Sequence, residues 1–457
     1  MWGHDTMCPD KAPIGTPTLS QDARGTVASR TDYPSWWRRT PYRHFGPTCD
    51  VATARSLIES PEAVARHAFW PFVRYDTRSR YFDYSNGKAS FKSRSIQYPA
   101  HLDANLFAYY AEQLSALYEI RLRDRGLTDQ VTAYRPLGRS NVDFAAEAFA
   151  WVRDHSPCDV YCFDVSKFFD NLDHELLKAD WANLLGEERL PADHFAVFSA
   201  VTRYAYIQRE QLPPELTVGD DQQKRYCTTA EFRRLRSTGK LRVERNPAGR
   251  GIPQGVQLCA VLSNLYMLTF DQRVAAEVER HGGFYRRYSD DILIALPAGD
   301  DTGFAAEAFL RGELVERRLP LNDDKTTCHR AAPGQGDGAL VVTPSVVYLG
   351  LSYDGERILL RGATLARFHR RMTHAVQRAR RLTAASGGQI QLPRGKLLKR
   401  FSHVGRRNFF GYVRPIEDVL REHGFDNPQA VRRQLRRSQA RLERLLNEDG
   451  QRDEGAQ

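Results

Sequence analysis

The chain has 457 residues, 41% of them hydrophobic and 27% charged, with a formal net charge of +10, so it has room for several domains and needs no disulfide or metal to fold. Its seven scattered cysteines form an odd set that argues against a disulfide framework and for a reducing compartment. No segment approaches the ~20 apolar residues needed to cross a bilayer, and the first residues have no basic stretch followed by an apolar one, so a soluble cytoplasmic protein without membrane contact is expected.

In chain order, residues 1–60 are rich in Pro, Gly, Ser, Thr and Arg and read as an irregular N-terminal extension, with order beginning near Pro61. Apolar residues at helical spacing from Leu102, stopped by Gly126, predict a helix. The string AYRPLGRSNVDFA from Ala133 predicts a short basic strand or loop leading into another helix. Val160 to Val165 predict a strand ending in an acid, with Cys158 and Cys162 as core residues rather than zinc ligands. A helix capped by Asn171 or Asp173 follows. Residues 186–250 hold a polar, partly basic insertion whose end, RRLRSTGKLRVERNPAGRG from Arg233, predicts a hairpin or loop.

The turn GIPQG from Gly251 opens what reads as one long helix from Val256. Next comes a hairpin with Asp290 and Asp291 at its tip, between Tyr285–Ser289 and Ile292–Leu296. A helix from Phe304 and a last strand over VVYLGLSY from Val346 complete the core. Residues 361–445 hold 21 Lys/Arg against 5 Asp/Glu, which leaves 45 basic and 51 acidic residues elsewhere, so this segment carries all of the positive excess. Its Arg-rich helices suit a surface lying along a phosphate backbone, with a merely solvated charged face as the bland alternative.

The carboxylates define the chemistry to look for. Asp164 shares a strand face with Val160 and Cys162, at the end of an otherwise apolar run. Asp290 and Asp291 are bounded by a second such run. Three carboxylates on a dry surface repel one another unless cations hold them ionised. Oxygen donors without His or Cys favour magnesium, or manganese, over zinc.

Five strings stand in order: YCFDVSKFFDNLDH from Tyr161, GIPQGVQLCAVLSN from Gly251, FYRRYSDDILIAL from Phe284, LNDDKTTCHR from Leu321 and VVYLGLSYDG from Val346. Together they resemble motifs A to E of reverse transcriptases. The resemblance implies an α+β right-hand polymerase: fingers and ferredoxin-like palm over residues 61–350, with a fingers insertion around 186–250, and a helical basic thumb over 351–457. It implies an RNA-directed DNA polymerase in which Asp164, Asp290, Asp291 and the Val165 carbonyl hold two magnesium ions, and Lys325 approaches the departing pyrophosphate. By the same resemblance Phe169 lies beneath the sugar and excludes a 2′-hydroxyl, a role that a one-residue slip would pass to Phe168.

Gln254 and Gly255 would meet the nucleotide, with Asn264 positioning their motif, while Tyr348, Leu349 and Gly350 would grip the primer. Arg135 and Arg139 are candidates to clamp the triphosphate, and Arg370, Arg371 and Arg378 to follow primer and template. The expected partners are deoxynucleoside triphosphates, an RNA–DNA hybrid and a structured RNA template.

Within the family, the AYRPLGRS element and the form of motif A resemble bacterial defence-associated enzymes of the abortive-infection and unknown-group clades, closest to the class 2 type that works with a neighbouring non-coding RNA. Ser289 departs from the commoner alanine or methionine, and Cys259-Ala260 from Ser-Pro, which points away from group II intron enzymes. A retron or group II intron-type enzyme is the nearest alternative, and a non-catalytic RNA-binding scaffold with a polymerase fold is an alternative of another class. Template identity, priming mode and oligomeric state stay open at this point.

Overall fold

The structure is a computed structural model. It describes residues 33–447 except 84–87, 218–223, 247–248, 300–301, 335–338, 388, 406–407 and 426–428; the part of the expected N-terminal extension before residue 33 lies outside the described residues. Order begins earlier than Pro61. Helix Val51–Ile58 is capped by Asp50, whose side chain accepts from the Thr53 amide, and Trp36, Phe45, Ala54 and Ile58 are buried. The composition of this segment hid these few anchoring aromatics.

The centre of the molecule is a five-stranded antiparallel sheet in the order Phe284–Tyr288, Asp291–Pro297, Cys158–Asp164, Thr327–Pro333, Leu340–Thr343. With helices Gln257–Tyr266 and Leu268–Arg280 after the Cys158–Asp164 strand, and Thr302–Glu316 after the hairpin, the first four strands follow the split βαβ order of a ferredoxin-like palm. Alternation along the central strand buries both faces. Phe163 packs with Ile292, Ile294, Val274 and Leu310 in the largest core cluster, while Cys158 and Val160 pack with Val142, Phe149, Leu293 and Tyr353 in a second one. Asp164 is therefore the polar end of a face covered by helix Asn141–Asp154 and by Leu351 and Tyr353.

Three expectations about the elements need correction. The strand at Val346–Tyr348 does not close the palm; it pairs with Leu351–Tyr353 in a separate three-stranded sheet, and Thr327–Pro333 takes its place beside Cys158–Asp164. The long helix from Val256 is two, divided at Met267. Within the 186–250 insertion, the start of the stretch expected as a hairpin or loop, Arg233–Ser237, belongs to helix Thr229–Ser237, and farther on Glu244–Arg245 pairs with Ala205–Gln208. That pair joins the finger sheet built on the long ribbon Phe72–Asp83 and Lys88–Tyr98.

The C-terminal region is helical, as its periodicity predicts. Helix Gly362–Ala385 buries Phe368, Met372 and Val376, four residues apart, against Leu442 and Leu446 of helix Gln429–Asn447. Of its arginines, Arg370, Arg371 and Arg378 are exposed, while Arg380 donates back to the Leu445 carbonyl.

Candidate active site

Asp164 and Asp291 are cross-strand partners, directly opposite one another in the sheet. Asp290 belongs to the two-residue turn with Ser289, between Tyr288 and Asp291, which pair across the hairpin. The turn is tied to the central strand where the Val165 amide donates to the Asp290 carbonyl, 3.2 Å. The backbone thus brings three acids, from two remote segments of the chain, to one end of the palm sheet.

Lys325 lies in the short helix Asp323–Lys325, and its Nζ reaches Asp164 Oδ2 at 2.5 Å. Asn322, which the sequence reading did not single out, donates its side-chain amide to the same oxygen at 3.2 Å and its backbone amide to the Asp164 carbonyl at 2.9 Å. The donor set of three carboxylates with no imidazole suits a hard divalent cation. No three His, Cys, Asp or Glu side chains among the described residues are gathered closely enough to hold a metal ion, and Lys325 supplies the positive charge beside Asp164. Burial, with Asp291 adjacent, pushes the Cys162 thiol up to about 12, so it stays protonated and apolar in character.

The hairpin is held from beneath by a fully buried ion pair. Arg287 Nε and Nη2 donate to the two oxygens of Asp271 at 2.7 and 2.6 Å, and both side chains are 0% exposed. Arg287 Nη1 also donates to the Ser289 carbonyl at 3.0 Å and to Asn264 Oδ1 at 3.3 Å. Asn264 in turn donates to the Ala133 carbonyl at 2.7 Å, and the Tyr285 hydroxyl donates to Asp271 at 2.6 Å. Burial opposes the Arg287 charge, but Asp271 outweighs it and raises the guanidinium further.

The loop after Asp164 places Phe168 in the core, 3% exposed, and leaves Phe169 partly exposed with its ring edge-on to Tyr134, centroids 6.4 Å apart. The GIPQG turn lies alongside: the Ile252 amide donates to the Phe169 carbonyl at 2.9 Å and the Gly251 amide to the Leu172 carbonyl at 2.8 Å. Gly255 has φ +105°, and a Cβ there would stand 2.9 Å from the Gln97 carbonyl. The Gln97 amide donates to the Gln254 carbonyl at 2.8 Å, so this glycine lets the finger ribbon close onto the turn.

Neither arginine proposed for the triphosphate stands ready for it. Arg135 is spent on Glu119, through bonds of 2.8 and 2.6 Å, and on the Thr128 and Val131 carbonyls; its side chain is 2% exposed. Arg139 pairs with Glu147 at 2.9 Å and lies over the Phe144 ring. The finger ribbon brings exposed Arg94 within electrostatic reach of Tyr134, whereas Arg74, near Asp170, donates to Ser95 at 2.6 Å and lies over the Tyr206 ring. Tyr348 is buried, while Leu349 and Gly350, both at positive φ, form the tight turn after it; the Leu349 carbonyl accepts from Asn141 at 2.9 Å.

A ferredoxin-like palm that gathers carboxylates at a strand end and a hairpin turn, flanked by fingers and a basic thumb, defines the class of right-hand nucleic-acid polymerases. The chain matches the reverse transcriptase (RNA-dependent DNA polymerase) family over residues 113–353, more than half its length. It belongs to that family, and the RNA-directed DNA polymerase assignment rests on this membership.

No curated protein matches the chain in sequence. Among solved structures it is similar to apo telomerase from Candida tropicalis, at 11% identity and a TM-score of 0.40 over 82% of this chain and 68% of that one. A Candida albicans telomerase in complex with a fragment of telomeric RNA is 13% identical, with a TM-score of 0.37 over 87% and 59%. The RNA-dependent RNA polymerase of a human picobirnavirus is 12% identical, with a TM-score of 0.36 over 63% and 45%. The chain thus spans about half to two thirds of the length of these structures.

Proposed function

We propose that this chain copies a structured partner RNA into DNA, as a polymerase of the bacterial antiphage type. The observation that carries the polymerase part is the meeting of Asp164, Asp290 and Asp291 at one end of the palm sheet. Asp164, Asp290, Asp291 and the Val165 carbonyl are the groups that would hold magnesium, with manganese as an alternative. When bound, two such ions activate the primer 3′-hydroxyl and stabilise the attacking and leaving oxygens of an in-line displacement.

The chain's own residues do the rest. Lys325, which carries a proton at Nζ beside Asp164, is the group to give a proton to the departing oxygen. Phe169 excludes a ribose 2′-hydroxyl. Gln254 and Gly255 border the pocket, and Arg94 on the finger ribbon takes the triphosphate-facing role that buried Arg135 cannot fill. Tyr348, Leu349 and Gly350 support the primer end from the side of the thumb, and Arg370, Arg371 and Arg378 lie along the hybrid. Six cysteines among the described residues are free, which suits a cytoplasmic setting.

The partner-RNA reading rests on the Ala133–Ser140 element and on the form of motif A. Its test is to sequence the RNA and DNA that copurify with the chain from its native host. One recurrent structured RNA, with complementary DNA starting at a fixed point on it, supports the reading. A random sample of cellular RNA overturns it, and a branched RNA–DNA molecule replaces it with the retron alternative. Bound RNA with no complementary DNA, from a chain that also fails to extend a supplied primer, replaces it with the non-catalytic scaffold.

A further inference from the structure

Five non-glycine residues among the described ones have positive φ, and two of them, Tyr134 at +61° and Ser289 at +61°, touch each other. Left-handed backbone is unfavourable for an L-residue, so it persists only where the surroundings over-determine it. Here they do. The Arg287 amide donates to the Gln130 carbonyl at 2.8 Å, and the Thr132 amide and hydroxyl both donate to the Arg287 carbonyl, at 3.0 and 3.1 Å. Asn264 holds the Ala133 carbonyl, and Arg287 holds that of Ser289. The segment leading to Tyr134 and the hairpin leading to Asp290 are thereby bolted side by side.

At the top of that bolt, Ser289 Oγ donates to the Tyr134 hydroxyl at 3.2 Å. Ser289 is 2% exposed, so without this acceptor its hydroxyl would face a dry surrounding. The same tyrosine ring stands edge-on to Phe169. Burial raises the Tyr134 pKa, as does the charge of nearby Asp290, so the phenol stays a neutral hydroxyl.

We propose that Tyr134 is a positioning residue of the nucleotide pocket: its hydroxyl fixes the Ser289–Asp290 turn, and its ring backs Phe169 so that the sugar gate keeps its place. One side chain then couples the geometry of the acidic turn to the fit of the incoming sugar. Ser289 is the partner of this tyrosine. The inference rests on the polymerase reading above and adds a residue to it.

The test is a double-mutant cycle in single-nucleotide primer extension on an RNA template, comparing wild type with Tyr134→Phe, Ser289→Ala and the pair together, and with Tyr134→Ala. Tyr134→Phe and Ser289→Ala each lower kcat about three- to tenfold with little change in KM, and the double variant falls no further than either single one. Tyr134→Phe keeps the deoxy-over-ribo preference, because its ring still backs Phe169. Tyr134→Ala lowers that preference about tenfold or more and raises KM. Losses that multiply in the double variant, or an unchanged sugar preference in Tyr134→Ala, overturn the inference while leaving an active polymerase. A wild-type chain that is folded and inactive sinks the polymerase reading and this inference with it. A purely structural Tyr134 would lower the melting temperature and the rate together without moving the sugar preference, and that result also overturns the inference.

Discussion

Replacing Arg287 with methionine removes one half of an ion pair that no water reaches. The guanidinium makes two bonds to Asp271, at 2.7 and 2.6 Å, and one each to Asn264 and the Ser289 carbonyl, at 3.3 and 3.0 Å. Asp271 keeps only the Tyr285 hydroxyl, 2.6 Å away. Breaking a buried pair from one side costs about 3–5 kcal/mol, because the surviving charge is left in a low-dielectric surrounding. Arg287→Met is therefore expected to destabilise the palm by about that amount. Arg287→Met/Asp271→Leu removes the stranded charge and leaves only neutral groups unpaired, so it should cost about 1–3 kcal/mol, less than the single change. Arg330–Asp159 is an internal control: its side chains are 53% and 24% exposed, and Arg330→Ala should shift stability by no more than about 1 kcal/mol. Urea unfolding followed by tryptophan fluorescence measures all of these. A cost for Arg287→Met within about 1 kcal/mol of that for Arg330→Ala, or a double variant as unstable as the sum of its parts, refutes the reasoning.

Three further outcomes are expected. His44 is fully buried, accepts at Nδ1 from the Gly46 amide, and burial and then His101 lower its pKa to about 3 from an ordinary 6.5. The unfolded chain therefore takes up a proton there at a pH where the folded one does not, and this group's contribution to stability is lost by about 1.4 kcal/mol for each pH unit of acidification between those two values; His44→Phe should flatten the urea midpoint over that acid range, and an unchanged slope would count against it. Lys325→Met removes the ammonium from Asp164, and primer extension should slow by about 10²-fold or more while the chain stays folded; a rate within threefold of wild type would remove Lys325 from the chemistry. Phe169→Val should admit ribonucleotides, whereas Phe168→Val, at a core position 3% exposed, should cost about 1–3 kcal/mol of stability and leave sugar choice alone; the opposite pattern would mean that the two rings trade roles.

Local pattern made the centre of the fold legible. Alternation along the strand ending in Asp164 and the apolar run after Asp291 are short-range signals, and they placed the acids at a strand end and a hairpin tip. Thr327–Pro333 was missed because only His329 and Ala331 of its seven residues are buried, too few to mark a period of two. Arg135, in a loop, looked available because its partner, Glu119, lies 16 residues back on helix His101–Asp124. Asp271 and Arg287 are likewise 16 apart, and Tyr134 meets Ser289 across 155. No periodicity announces such contacts; only the bend at Met267 and the return of the hairpin bring them together.

The most direct measurement of the central claim is primer extension on a defined RNA template with magnesium and deoxynucleotides, comparing the wild-type chain with Asp164→Asn. The substitution keeps size and strand position and removes the charge facing Asp291. The account predicts templated DNA from the wild type and a loss of about 10³-fold or more in the variant, with the unfolding midpoint preserved. Equal extension by the two, or none by a folded wild type, would contradict it.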